Sequence, residues 1–336
     1  MTVRPTIDIH VHILADETMR LLAKISPRVA PIMKDIGRDS AAVMEINGRV
    51  MQKPVPRGLW DLEWRLRDMD ENGVGVQLLL PTTQTFYYEE EPQLAADCAA
   101  LQNEQIAKTV SAQPGRFIGA ATLPMQAPEL AAAELRRAMG KLGLRGFEIG
   151  SNVNSRNLDD PALEPVWVTA AELGAFIFIH PHNFGSRERL HAYLQNNFVG
   201  LPFETTLAAT SLVFGGVLER HPSLKICLSH GGGYVPYQHG RFIHAWHVRP
   251  EPKVNLKSSP EESFARLFYD SIVHSRRTLE YLVDFAGYDH VLLGSDYPFD
   301  MGNLDCVRRV EEANIPRAER DSILGGRAKT LLNWPA

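Results

Sequence analysis

An α/β fold of the closed (β/α)8 TIM-barrel type is what this 336-residue sequence predicts. Three observations predict it. Short, almost wholly apolar runs recur along the chain, as strands buried on both faces require. Amphipathic stretches of helical period separate them, the alternation that sets helices outside a parallel sheet. No run is followed by a G-x-G-x-x-G or G-x-x-x-x-G-K-[ST] loop, so the competing reading, an open doubly wound sheet, lacks its usual phosphate loop.

The elements follow in order. Residues 6–13, TIDIHVHI, form the first run. Residues 61–72, DLEWRLRDMDEN, read as a helix stopped by Gly73, and the second strand follows at 74–81. The third strand is expected over 116–124, and the helix over 128–142 opens on Pro128 and stops at Gly143. The remaining strands are expected at 144–150, 175–181, 225–230, 267–272 and 290–298. Two stretches are too long for plain connections: 14–60 after the first strand and 183–201 after the fifth. Connections after barrel strands lie at the C-terminal mouth, where active sites form, so both insertions should roof the pocket. No linker, compositional break or solenoid repeat divides the chain, and one domain over 1–336 is expected.

Composition narrows the class. With 44% hydrophobic and 22% charged residues the chain reads as an ordinary soluble globular protein, not a disordered one. A net charge of −5 argues against a nucleic-acid surface, and the basic pair Arg187 and Arg189 is too small to reverse it. The longest apolar strings are strand-sized, so no membrane span is expected. The first residues lack a charged start followed by an apolar run, which leads to a cytoplasmic expectation. Cys98, Cys227 and Cys306 are odd in number and far apart, against a disulfide framework or a cysteine-based zinc knuckle.

The chemistry begins with His10 and His12. Strand period puts both on one face, with Ile9 and Val11 on the other. Two imidazoles buried in a barrel interior need partners; a shared metal supplies one, a satisfied core pair is the alternative. Equivalent residues end other strands: His180 the fifth, His230 the sixth before Gly231-Gly232-Gly233, and Asp296 the eighth in Gly-Ser-Asp-Tyr-Pro. Five metal-competent side chains at barrel-strand ends should converge on one point.

That arrangement resembles the amidohydrolase superfamily, and more narrowly the family of 2-amino-3-carboxymuconate 6-semialdehyde decarboxylase. The segments IDIHVHIL, LWDLEWRLRDMDENGV, RFIGAATLPMQAPELA, HGGGYVPYQHGR and LLGSDYPFDMG carry the likeness. The resemblance implies His10, His12, His180 and Asp296 as metal ligands, His230 as catalytic acid/base alongside Asp296, and Phe299 as an aromatic pocket residue. It implies a homodimer in which Arg241 crosses the interface to a substrate carboxylate. It also implies one divalent ion, with Zn2+ first and Mn2+ or Fe2+ as alternatives. Three departures bear on substrate contacts. His182-Asn183 stands where the family has Trp-Asp, Lys53 (with Arg57 close by) aligns with a carboxylate-binding arginine, and Tyr193 replaces a tryptophan. Lysine offers a point charge rather than a planar fork, so carboxylate recognition should be altered.

The function implied is non-oxidative decarboxylation of a small unsaturated or aromatic carboxylic acid. The alternative is hydrolysis of a lactone, amide or related bond, since the same site can serve either reaction. Glu148 on the fourth strand bears on the choice. Binuclear hydrolases of the superfamily commonly place a bridging residue there, whereas pairing with a nearby cation would make Glu148 structural. A catalytically dead binding barrel would need a missing ligand, and none is missing. Among the other candidates, His182 is expected in the pocket and His239, His244, His247 and His274 at the surface. Trp60 and Trp64 should pack in the core, Cys227 should act as a small hydrophobe, and the three glycines should allow close backbone approach beside His230.

Overall fold

The computed structural model describes residues 6–35, 42–183 and 187–335. The apolar runs form eight parallel strands: β1 (Ile7–Ile13), β2 (Val76–Pro81), β3 (Phe117–Gly119), β4 (Gly146–Gly150), β5 (Phe176–His180), β6 (Lys225–Leu228), β7 (Phe268–Asp270) and β8 (Val291–Leu292). They lie in two arcs, β1-β2-β3 and β4-β5-β6-β7-β8, each in sequence order. Backbone hydrogen bonds join the arcs. At one seam Ile9 N donates to Leu293 O at 2.9 Å, Asp296 N to His10 O at 2.8 Å and His12 N to Tyr297 O at 2.7 Å. At the other, Ala121 N donates to Gly146 O and Glu148 N to Ala121 O, both at 2.8 Å. The circuit of a TIM barrel is thereby complete.

Two clusters of side chains hold it. Ile7, Ile9, Leu78, Leu80, Phe176, Phe178, Cys227 and Leu292 fill the interior, and Ala328 and Leu331 of the C-terminal helix Arg327–Leu331 pack against them. The larger cluster lies between the strands and the surrounding helices, with Trp167, Leu135, Ile177 and Leu212 among its buried members. Strict alternation along β1 does not survive: its register against β2 shifts between Asp8 and Val11. Ile9 therefore packs with the interior cluster and Val11 with the outer one, instead of sharing a face. The irregularity keeps His10 and His12 pointing inward above Ile7 and Ile9, so one strand supplies both the floor and part of the site.

The third and eighth strands are shorter than the sequence suggests, with three and two residues in regular ladders. Single bridges continue them, Ala121 to Phe147 and Tyr297 to Val11. After β8 the chain enters left-handed backbone at Asp296, φ 59°, which interrupts the ladder. The helix before β2, Leu62–Glu71, is capped by Asp61, whose side chain accepts from Trp64 N at 3.0 Å.

The insertion after β1 holds the helix Asp16–Ile25 and an antiparallel sheet of Ile32–Asp35, Ala42–Ile46 and Arg49–Val55. Leu14, Met44, Val55 and Leu59 are its buried core, against which Phe299 packs. The insertion after β5 leads through Asn196–Gly200 into the helix Leu201–Phe214. Residues 36–41 and 184–186 of these insertions lie outside the described residues. Both insertions contribute to the wall of the cavity at the mouth, through Met51 and Gln52 and through Asn197 and Phe198. Among the described residues no helix is long and apolar enough to cross a membrane.

Candidate metal centre

The ends of β1, β5, β6 and β8 bring five donors together. Nε2 of His10 lies 3.2 Å from Nε2 of His12, and Asp296 Oδ1 stands 3.4 Å and 3.2 Å from those two nitrogens. The His180 ring centroid is 5.3 Å from that of His10, 5.0 Å from His12 and 5.2 Å from His230. One donor atom each from His10, His180, His230 and Asp296 fits within 4.8 Å of all the others. His230 is thus as near the centre as the residues the resemblance names as ligands.

The imidazoles differ in what holds their other nitrogen. His10 donates from Nδ1 to Asp270 Oδ2 at 2.7 Å, His180 from Nδ1 to Pro181 O at 2.9 Å, and His12 from Nδ1 to Pro81 O at 3.3 Å. Each bond sets the tautomer and turns an Nε2 lone pair to the centre, the usual outer support of a metal-binding histidine. His230 lacks such an anchor. Its Nδ1 is buried without a hydrogen-bond partner among the described residues, while Nε2 lies 3.6 Å from Asp296 Oδ2.

Burial lowers the His10 pKa, and burial with the neighbouring imidazoles holds His180 well below the ordinary range, so both are neutral donors at pH 7. Burial alone would raise Asp296, but His10, His12 and His230 around it hold its carboxyl well below the usual value. For His230 burial pulls downward, yet Asp296 and then Asp270 outweigh it and the pKa is raised. Asp296 Oδ1 is buried with no hydrogen-bond partner among the described residues. An orphaned carboxylate oxygen facing converging lone pairs is the arrangement a cation would satisfy, and three imidazoles with one carboxylate suit a divalent one.

Sequence reading missed the group that organises this centre. Asp270, the last residue of β7, is fully buried. Besides His10 it accepts from the backbone N–H of His230 at 2.9 Å, Gly231 at 2.8 Å and Ile272 at 3.1 Å. It fixes His10 and holds His230 in left-handed backbone, φ 53°. The glycines that follow are needed here: a Cβ on Gly233 would stand 2.2 Å from Pro202 O. Asp8, below His10, accepts from Ser295 Oγ at 2.5 Å, and burial pushes its pKa up to about 7. Arg65, fully buried, bonds His12 O and Gln77 Oε1 and stacks on Tyr297 with 4.8 Å to the ring centroid. A carboxylate in the middle of an apolar strand was the available signal for Asp8 and Asp270; nothing local marked Arg65.

Among the described residues no lysine or arginine pairs with Glu148, against the structural alternative. Both its oxygens are buried without a hydrogen-bond partner among the described residues, and His12 Nδ1 stands 3.8 Å away. Burial, and then the charge of Asp296, push its pKa well above the usual range. Burial thus favours its protonated form over the charged one.

Beside the centre opens a cavity of about 480 Å³, walled in part by His180, His182, His230, Asp296 and Phe299. Phe299 also packs 5.4 Å from the His12 ring, and His182 sits against Phe86 and Tyr88 at 5.2 and 5.4 Å. The expectation that Lys53, Arg57 and Tyr193 reach this space is not met within one protomer. Lys53 is exposed, and its neighbours Met51 and Gln52 take the cavity wall. Arg57 is bound by Asp61 at 2.8 Å and lies over Trp64, and Tyr193 is 87% exposed. Arg241 is also exposed, on the helix Val235–Val248. His274 is exposed but sits on the cavity rim, and His239, expected at the surface, packs between Phe264 and Phe285 at 5.3 Å from each. Trp64 carries Arg57 and Arg67 on its ring rather than joining the core.

The Amidohydrolase family model matches residues 7–334. The chain belongs to the amidohydrolase family. This amidohydrolase is 38% identical to 2-amino-3-carboxymuconate-6-semialdehyde decarboxylase of Dictyostelium discoideum over 97% of its own length and 91% of that protein's. It is 32% identical to a gamma-resorcylate decarboxylase of Polaromonas, over 80% and 86% of the two chains. Among solved structures it is similar to 5-carboxyvanillate decarboxylase of Sphingomonas paucimobilis, with a TM-score of 0.82, 26% identity and coverage of 99% and 100%. It is also similar to a dihydroxybenzoic acid decarboxylase of Polaromonas with bound manganese and 2-nitroresorcinol, with a TM-score of 0.80, 28% identity and coverage of 98% and 97%. The amidohydrolase is accordingly a carboxy-lyase, a metal-dependent non-oxidative decarboxylase, and its histidine–aspartate cluster is a divalent-metal site.

Proposed function

We propose that His10, His12, His180 and Asp296 hold one divalent ion and that His230 serves as proton donor in releasing CO2 from a small aromatic or unsaturated carboxylic acid. The observation that carries this division is the fate of Nδ1. Three imidazoles have Nδ1 held by an oxygen and Nε2 turned to the centre, whereas His230 has no Nδ1 partner among the described residues and faces the cavity, so it can gain and lose a proton. Such an ion supplies positive charge where electron density develops on a substrate oxygen as CO2 departs. Zn2+ suits the donor set, as does the manganese that the Polaromonas decarboxylase structure holds.

The chain's own residues account for the rest. The bond from ring carbon to carboxylate breaks with its electron pair left on carbon. His230 delivers a proton there, becomes neutral, and is recharged from solvent. Asp296, 3.6 Å from its Nε2, stabilises the charged imidazole before transfer. Phe299 and His182 offer rings against which a planar substrate can lie. Arg241 is assigned to the substrate carboxylate of a second protomer in a homodimer, consistent with its exposed position. The proposed compartment is the cytoplasm.

The test is a panel of carboxylic acids, lactones and amides with metal-loaded enzyme, following CO2 and hydrolytic products in parallel. CO2 release abolished by chelation and restored by Zn2+ or Mn2+ is the expected result. Hydrolysis without CO2, or full activity in verified metal-free protein, would overturn the proposal.

A further inference from the structure

We propose that Glu204 is a positioning residue: from outside the cavity it fixes the backbone of His182 and so presents that ring to the substrate. This rests on the decarboxylase reading above, in which His182 offers a face to a planar acid.

Glu204 stands in the first turn of the helix Leu201–Phe214, is 5% exposed, and is not among the residues that wall the cavity. Its Oε2 accepts from two side chains just after β4, Ser151 Oγ at 2.9 Å and Asn152 Nδ2 at 3.0 Å. Both of those side chains also reach His182. The Ser151 hydroxyl accepts from His182 N at 3.1 Å, and Asn152 Nδ2 donates to His182 O at 2.7 Å. A hydroxyl has one hydrogen of its own to place and an amide nitrogen has two. One oxygen of Glu204 takes a hydrogen from each. Both polar groups of the His182 backbone are therefore held by side chains that Glu204 orients.

The ring is held from another side. It packs 5.2 Å from Phe86 and 5.4 Å from Tyr88, whose hydroxyl accepts from Gly150 N at 3.1 Å. A Cβ on Gly150 would stand 2.8 Å from His182 Cβ, so glycine leaves the room that His182 occupies. The same helix braces the loop of His230. Thr206 Oγ1 accepts from Tyr234 N at 2.8 Å, and Pro202 O lies against Gly233. The two supports separate by consequence. A general loosening of the helix would reach His230 and lower kcat, whereas loss of Glu204 alone frees His182 and weakens binding.

The experiment pairs Glu204→Ala with His182→Ala on metal-loaded enzyme. It reads kcat and KM from CO2 release, Kd for 2-hydroxybenzoate by calorimetry, and the His182 imidazole nitrogen NMR signals, assigned by their loss in His182→Ala. Glu204→Ala should raise KM and Kd by about 2–10-fold, the worth of one aromatic contact, with kcat within about twofold of wild type. In a His182→Ala background it should add nothing, because both changes remove the same contact. The His182 signals should shift or broaden. Glu204→Gln, whose amide oxygen can accept from both donors, should restore signals and affinity. Should Glu204→Ala fail to fold, Glu204→Asp, one methylene too short for both donors, takes its place with the same expectations. Additive effects in the double variant, a fall in kcat at unchanged KM, or unmoved His182 signals would overturn the inference. If the signals and the 2-hydroxybenzoate cycle behave as expected while no acid releases CO2, Glu204 keeps its role and the decarboxylation reading falls.

Discussion

Replacing Asp270 by asparagine should weaken metal binding without unfolding the barrel, and the geometry sets the size of the effect. Oδ2 of Asp270 takes the N–H of His10 Nδ1 and the backbone N–H of His230; Oδ1 takes Gly231 and Ile272. An asparagine that keeps its oxygen on the Gly231 and Ile272 side turns its NH2 towards two donors. One buried backbone N–H is then unsatisfied, a loss of about 1–3 kcal/mol. His10 loses the acceptor that keeps its proton on Nδ1, so the proton can move to Nε2, the atom that faces Asp296. Loss of such an outer-shell partner typically lowers metal affinity by about 10–100-fold. Competition against a chromophoric chelator would measure the affinity, and thermal unfolding of the metal-free protein would show that the variant is folded. Activity should recover in part at saturating metal. A folded Asp270→Asn protein with metal affinity within about twofold of wild type would refute the claim that Asp270 governs the His10 tautomer.

Other consequences can be checked in the same preparations. His230→Asn should retain metal content while turnover falls by about 10²–10⁴-fold, the usual contribution of a positioned acid or base; retained turnover, measured against metal content by elemental analysis, would remove His230 from proton transfer. Glu148→Gln should stabilise the metal-free protein, because above about 4.5 the unfolded chain has released this proton while the fold, with its raised pKa, retains it. The gain in unfolding free energy should grow as pH rises from there, and a gain independent of pH would contradict a buried neutral carboxyl. Arg241→Ala should weaken substrate binding by about 2–5 kcal/mol if its guanidinium meets a buried carboxylate. Mixed with inactive His230→Asn protein it should recover activity through heterodimers, an outcome that a self-contained protomer cannot produce.

What the sequence by itself determined is what short-range pattern can carry. Apolar runs broken by Gly73, Gly143 and the proline at 128 marked the alternation of strand and helix. Period two put His10 and His12 on one face, and the positions of His180, His230 and Asp296 at strand ends sufficed to gather them, since parallel strands of a barrel end at one rim. Tertiary structure decided the rest. Asp270 lies 260 positions from the His10 it orients, and no local spacing encodes that bond. Arg65 is buried beneath His12 by packing of a helix that reads as amphipathic and exposed. The register shift in β1, which parts Ile9 from Val11, arises from pairing with β2 and leaves no mark in the residues themselves. Which cation reaches the cavity was likewise open. Lys53 and Gln52 are adjacent in sequence, and only the insertion's sheet, with its own register shifts, turns the neutral one inward. Periodicity is a property of neighbours along the chain, whereas a site's electrostatics belong to groups that become neighbours only when the barrel closes.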